Sequence, residues 1–328
     1  MAAEESLDSL GIAWKGSPGS WHLIPRSSIP VCSIQGDVRD CSNTLLFTLK
    51  PKQALGSGTF GNVDAFFRST PNGNIKVVAM KRPKHKQNDL FIEALFQWKL
   101  HNDLKEYGLS FCIPRVYDIF QYKSTSDIWF TMESYEPVLL STWCLQHITK
   151  GHTAIFGLIL LQIALILEVL ENELQVDHRD LKVNNILVID EKTTILIRFE
   201  GKERELVFPF KLVIIDFGFA CKGKIVDVRE GDGLPTMDLC PKDGRDLFQV
   251  IVSLWSIEPL RTILEPRWGT WVRQRIESAK KGTYVRLAET SKTLDWMHIV
   301  TEDRLFRAPL CTPWSVIQDC LHILDSSK

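Results

Sequence analysis

The residues best suited to chemistry in this chain lie in His178-Arg179-Asp180-Leu181-Lys182-Val183-Asn184-Asn185. A carboxylate at Asp180, an ammonium at Lys182 and an amide at Asn185 suit phosphoryl transfer. The carboxylate accepts or orients the proton of an attacking hydroxyl, the lysine steadies a γ-phosphate, and the amide holds a magnesium ion. A second carboxylate follows in Asp216-Phe217-Gly218, after the apolar run Leu212 to Ile215. That run reads as a short buried strand delivering Asp216 to a loop, where its carboxylate can chelate magnesium on the phosphates of ATP.

Upstream, Gly56-Ser57-Gly58-Thr59-Phe60-Gly61-Asn62-Val63 precedes Val77-Val78-Ala79-Met80-Lys81. A hairpin rich in glycine lets backbone N–H groups approach phosphate closely, because no Cβ intervenes. Lys81 then falls on the next strand, directed at the α- and β-phosphates. A lone Gly-x-Gly-x-x-Gly is a weak signal; three such motifs in this order are a strong one. Together they resemble the eukaryotic protein kinases, over about residues 50 to 260.

The resemblance implies an α+β fold of two lobes, a β-rich N-lobe and a mainly helical C-lobe, using ATP and Mg2+. It assigns Asp180 and Lys182 to catalysis, and Asn185 and Asp216 to the metal. Nucleotide binding falls to Gly56, Gly58, Gly61, Val63, Ala79, Lys81, Glu93, Met132, Glu133, Tyr135 and Leu187. The strand Ile128 to Met132 leads into the hinge Glu133-Ser134-Tyr135, where backbone groups would meet adenine and Met132 would back the nucleotide pocket. Plain core packing of Met132 is compatible with that position.

The elements that must position these groups can be taken in order. Residues 1–45 read as an irregular N-terminal extension whose Trp14 and Trp21 pack on the lobe; the N-lobe spans 46–134 and the C-lobe 135–328. Leu46 to Lys50 reads as the first strand, and Pro71-Asn72-Gly73-Asn74 turns the chain before the Lys81 strand. A helix is expected over Asp89 to His101, and its Glu93 is the candidate partner for Lys81, since it lies on the first helix after that strand. Glu106 competes but falls in a polar stretch near Gly108, and an exposed helix glutamate is the blander reading of Glu93. Ile186 to Ile189, Ile195 to Phe199 and Glu205 to Phe208 read as an extended hairpin before Asp216. An amphipathic helix is expected over Asp246 to Trp255, with Asp246 tied back to the catalytic-loop backbone. Further helices are expected over Thr270 to Lys280 and Thr312 to Leu324, the second with Thr312 as N-cap and Pro313 at its first position.

Composition narrows the classes. The chain has 328 residues and a net charge of −1, so no global basic field favours direct nucleic-acid binding. Lys81 to Lys86 is a local basic run, of which all but Lys81 reads as solvated. Eight cysteines without a Cys-x-x-Cys pair suggest reduced thiols in an intracellular protein, cytoplasmic or nuclear. The acidic N-terminus lacks the apolar core of a signal peptide. Ala154 to Leu170 is almost wholly apolar but is interrupted by Gln162 and Glu168, so it reads as a buried helix rather than a membrane span. His22, His85, His101 and His147 show no metal-ligand spacing, and His178 reads as a brace for the Asp216 loop.

Leu181-Lys182 resembles serine/threonine rather than tyrosine kinases. The apolar helix before His178, the extended hairpin and the lack of an Ala-Pro-Glu motif resemble the haspin group of divergent protein kinases. That likeness implies a protein substrate, basic or histone-like, and an activation segment preshaped without phosphorylation. The chain departs from the group in keeping Asp216-Phe217-Gly218. Arg179 could receive a phosphorylated residue, but Thr236 is the only Ser, Thr or Tyr between Gly218 and Asp246. Two other classes stay open: a small-molecule kinase of the same fold, and a pseudokinase scaffold that binds partners without turnover. Loss of Lys81, Asp180, Asn185 or Asp216 would have pointed to the scaffold, and all four are present.

Overall fold

The computed structural model describes residues 29–58, 61–85, 90–136, 138–199, 201–223, 226–228, 241–279, 282–303 and 305–325. Residues 1–28 with Trp14, Trp21 and His22, the loop residues Thr59 and Phe60, the expected helix start at Asp89, and Thr236 lie outside them. The described residues up to Glu106, with Ile113–Glu136 and 226–228, form one compact unit. Tyr107–Cys112 and the described residues within 138–223 and 241–325 form another. The first is rich in strand and the second mainly helical, an α+β arrangement.

The first unit is a closed barrel. Its strands are β1 (Val31–Cys32), β2 (Asp37–Arg39), β3 (Leu45–Ser57), β4 (Gly61–Ser69), β5 (Ile75–Pro83), β6 (Val116–Tyr122) and β7 (Ile128–Glu133). They run in the order β1-β2-β3-β4-β5-β7-β6, closed by parallel pairing of Val31 with Gln121. Period-two alternation in β3 turns Phe47 and Leu49 inward, where they meet Cys32, Val38, Val78, Met80 and Phe120. Residues 31–39, expected to be irregular, thus supply two barrel strands. Strands this short carry no legible periodicity, and their pairing with β3 and β6 is what fixes them. Gly73, at φ +80°, takes the left-handed turn position between β4 and β5. Helix α1 (Phe91–Asp103) is buried almost all round from Phe91 through Trp98, its polar Glu93 and Gln97 included.

In the second unit, strands β8 (Val138–Leu139), β9 (Val176–Asp177), β10 (Ile186–Ile189), β11 (Thr193–Phe199), β12 (Lys202–Phe208), β13 (Lys211–Ile214) and β14 (Cys221–Lys222) lie among seven helices of the described residues. The helices are α2 (Leu140–His147), α3 (Ala154–Glu168), α4 (Arg245–Trp255), α5 (Glu258–Ala279), α6 (Thr283–Thr290), α7 (His298–Glu302) and α8 (Pro313–Asp325). The expected hairpin is β11 with β12, whereas β10 belongs to a separate sheet in the order β13-β10-β8. Helix α5 starts twelve residues before the expected Thr270, and it carries Pro266 in its interior. Proline disfavours a helix interior, so the pattern before it does not read as helical. The helix expected to be amphipathic, α4, is buried along its whole length, its polar residues included.

Ala154–Glu173 is the one described helical segment long and apolar enough to cross a membrane, and 72% of its most apolar window is buried inside the protein. Gln162, which interrupts the apolar run, is itself fully buried. Its Nε2 donates to the Phe210 carbonyl at 3.2 Å, and its Oε1 accepts the Leu212 N–H at 2.7 Å. One side chain therefore holds the strand that leads to Asp216. Six cysteines of the described residues are free, but Cys221 is disulfide-bonded, its partner lying outside the described residues. The expectation that all thiols are reduced fails there, because a pairing made by tertiary proximity leaves no mark in sequence spacing.

Replacing Gln162 by Leu strands a buried N–H and a buried C=O. The expected loss is about 1–3 kcal/mol for each group left unsatisfied, read as a lower urea midpoint with an unchanged slope.

Candidate active site

In the first unit the glycine-rich stretch joins β3 to β4, and the Gly58 N–H donates to the Gly61 carbonyl at 2.8 Å. A Cβ on Gly61 would come within 2.9 Å of the Arg82 carbonyl and 3.0 Å of Lys81 Cε. Glycine there is what lets the Lys81 stem lie across the strand. At Gly56 a Cβ would meet open space, so crowding does not demand glycine. Antiparallel register pairs Val63 with Lys81 and Ala79 with Met132, setting these four residues on adjoining strands.

Lys81 Nζ lies 2.5 Å from Glu93 Oε1, with both side chains nearly buried. Glu106 sits in a short 3-10 turn, exposed. Met132 is buried, and its Sδ accepts a hydrogen bond at 3.5 Å from Gln97 Nε2, which also donates to the Pro114 carbonyl. The Glu133 N–H donates to the Arg115 carbonyl at 2.8 Å, while the Tyr135 hydroxyl donates to Glu133 Oε2 at 2.7 Å. The side chains of the expected hinge thus hold each other. Of the basic run, Arg82 is paired with Asp64 at 2.8 Å.

In the second unit Lys182 Nζ lies 2.9 and 3.0 Å from the two oxygens of Asp180. Asn185 Nδ2 donates to the Asp180 carbonyl at 2.8 Å and to its Oδ2 at 3.2 Å. The carboxylate is therefore oriented from two sides while staying partly open to solvent. Asn185 immediately precedes β10, and Asp216 follows β13. Register pairs Ile186 with Ile214, and the Ile215 N–H donates to the Asn185 carbonyl at 3.0 Å. Two paired strands so place Asn185 and Asp216 at one end of the sheet. Leu187 is buried on the same strand, opposite Leu139 and Val213.

Two of these loop residues have left-handed backbone: Arg179 at φ +67° and Asp216 at φ +67°. Non-glycine residues rarely adopt that region, and they persist there only when their surroundings hold them. Asp246 does part of the holding, its two oxygens accepting the His178 N–H at 2.6 Å and the Arg179 N–H at 2.8 Å. Burial, with the Asp177 charge beside it, pushes the Asp246 carboxyl well above the usual carboxylate range. Asp177 is equally buried, yet the Arg245 guanidinium keeps it below that range. His178 Nε2 lies 3.0 Å from the Ile215 carbonyl, and the Asp180 N–H donates to its Nδ1 at 3.3 Å. Burial lowers its pKa, which suits a neutral ring that donates at Nε2, accepts at Nδ1 and braces the Asp216 loop. The Arg179 side chain is buried.

The donor set fits magnesium. With Asn185 Nδ2 turned to Asp180, the oxygen of that amide and the Asp216 carboxylate are hard oxygen donors at one end of the sheet. Magnesium takes hard oxygen ligands, and often only one or two from protein beside those of phosphate and water.

Sequence reasoning missed Gln249, Ser253 and Thr301, buried polar residues that hydrogen-bond the catalytic loop. A signal for two of them was present. Asp246, Gln249 and Ser253 recur at spacings of three and four in an otherwise apolar run, which puts them on one helix face.

Residues 49–229, a little over half of the chain, match the family model described as protein kinase domain. No curated protein gives a significant match to the chain.

Glu93→Leu removes the carboxylate that lies 2.5 Å from the buried Lys81 ammonium, at an expected cost of about 3–5 kcal/mol. The double variant Lys81→Met, Glu93→Leu removes both charges and is expected to unfold at higher urea than Glu93→Leu alone.

Proposed function

Because this chain belongs to the protein kinase domain family, we propose that it transfers the γ-phosphate of ATP to a serine or threonine hydroxyl of a protein substrate. The observation that carries this reading is the Asp180, Lys182 and Asn185 cluster, with Asp216 at the same sheet end. Supporting it, Lys182 and Asn185 both hold the Asp180 carboxylate.

Asp180 receives the substrate hydroxyl and takes or orients its proton. Lys182 holds that carboxylate and sets a cation beside the transferring phosphoryl group, whose charge spreads in the transition state. Asn185 and Asp216 would hold magnesium, which would neutralise phosphate charge. Lys81, kept extended by Glu93, pairs the α- and β-phosphates, and the Gly56 to Gly61 backbone supplies N–H donors to phosphate. By resemblance, the hinge residues Glu133 and Tyr135, with Val63, Ala79 and Met132 in the first unit and Leu187 in the second, would be nucleotide contacts. The choice of serine or threonine over tyrosine rests on Lys182 two residues after Asp180.

The test is phosphate transfer from labelled ATP to histone and to a generic basic protein, with Asp180→Asn alongside. Wild-type transfer is expected to fall by about 10²-fold or more in Asp180→Asn and to stop on chelation of magnesium, with label on serine or threonine. ATP binding without transfer by the wild type would instead favour a scaffold, and transfer only to small molecules would favour a small-molecule kinase.

Activity is proposed not to need activation-segment phosphorylation. Thr236→Ala is expected to keep wild-type kcat, and a folded variant without activity would overturn this.

A further inference from the structure

The catalytic loop is held by more than Asp246. Three buried polar side chains of α4 run along it in sequence order. Asp246 takes the His178 and Arg179 N–H groups, Gln249 Oε1 accepts the Leu181 N–H at 3.1 Å, and Ser253 Oγ accepts the Val183 N–H at 3.1 Å. Gln249 also donates through Nε2 to the Arg179 carbonyl at 2.9 Å. From α7, Thr301 Oγ1 donates to the same carbonyl at 2.5 Å.

The position of Gln249 in this ladder is unlike the others. The Arg179 carbonyl belongs to the peptide group before Asp180, and the Leu181 N–H belongs to the peptide group after it. A single primary amide, fully buried, therefore grips both peptide planes that meet at the Asp180 Cα. Its donor faces a carbonyl and its acceptor faces an N–H, so only one orientation of the amide satisfies both. Fixing the two planes fixes φ and ψ of Asp180, and with them the direction in which the Cβ leaves the backbone. The preceding residue, Arg179, sits at φ +67°, a conformation that relaxes unless its surroundings oppose it.

We propose that Gln249 is a positioning residue for the transfer reaction, aiming the Asp180 carboxylate by clamping the two peptide groups that flank it. This rests on the reading of Asp180 as the residue that receives the substrate hydroxyl. Gln249 touches no reacting atom; its bonds go to the Leu181 N–H, the Arg179 carbonyl and the Thr301 hydroxyl, so it reaches the reaction through Asp180. Its loss is therefore expected in kcat rather than in ATP binding, since nothing it holds is a nucleotide contact. Small misplacements of a reacting group cost as much as about 10²-fold in rate.

The test uses the full chain carrying Gln249→Met, which keeps the volume of the side chain and removes both hydrogen bonds. Wild type and Asp180→Asn are measured beside it for kcat, KM for ATP, ATP affinity and melting temperature. The expected result is a kcat lower by about tenfold or more, with KM and affinity for ATP within about twofold of wild type. Amide exchange at Leu181 is expected to accelerate. Unchanged kcat per folded molecule with a lowered melting temperature would overturn the proposal, leaving Gln249 a merely structural residue. A raised KM for ATP with kcat retained would overturn it as well. A wild type no more active than Asp180→Asn would instead sink the underlying phosphotransfer reading, and this inference with it. If Gln249→Met does not fold, Gln249→Glu keeps an acceptor for Leu181 and loses the donor to Arg179, and the same comparison applies.

Discussion

A catalytic loop is a stretch of backbone that forms neither helix nor long strand, yet it must lie inside the protein. Its N–H and C=O groups cannot be left without partners there, because each would cost the full desolvation of a polar group. In this protein the residues from His178 to Val183 meet that constraint through side chains rather than through a neighbouring strand. Asp246, Gln249 and Ser253 form a polar stripe along a wholly buried helix whose other residues after Arg245 are apolar. The stripe would be prohibitive in a core without the loop, and the loop would be unsatisfied without the stripe. Each makes the other possible.

The consequences reach outward. Held backbone keeps Arg179 in a left-handed conformation, and that bend turns Asp180 toward Lys182 and Asn185. Asn185 starts the strand that pairs with β13, so the same arrangement carries Asp216 to its place. Gln162, from the apolar helix α3, secures β13 by both an N–H and a C=O. Buried amides at Gln162 and Gln249 thus share one task. In each case the amide bridges a donor and an acceptor of main chain that no regular ladder satisfies. Buried glutamine is uncommon in a core, and here its two-sided chemistry explains its use.

The first unit solves a different problem. A lysine and a glutamate nearly removed from water gain little net stability from their attraction, because desolvation opposes it. Their benefit is geometric. The β5 strand and α1 are separate elements, and the Lys81–Glu93 contact fixes the end of a flexible side chain that would otherwise sample many rotamers. Gly61 completes the arrangement by leaving room for the lysine stem.

The residues that carry charge and chemistry were legible in the sequence because their types and spacings are local. Asp180, Lys182 and Asn185 are within six positions of one another, and Lys81 is followed by the first available helix. The β4–β5 turn, the Ile128 strand and the apolar helix were legible for the same reason: periodicity and glycine are properties of short windows. What the sequence could not determine was set by partners distant along the chain. The strands of residues 31–39 exist because the barrel closes on them. The helix through Pro266 persists although local propensity opposes it, and the bond at Cys221 depends on a contact that spacing does not encode. Above all, the sequence showed that Gln249 and Ser253 share a helix face with Asp246. Only the tertiary structure decided that this face meets backbone instead of solvent, because burial is a property of the packed molecule and not of any window of its chain.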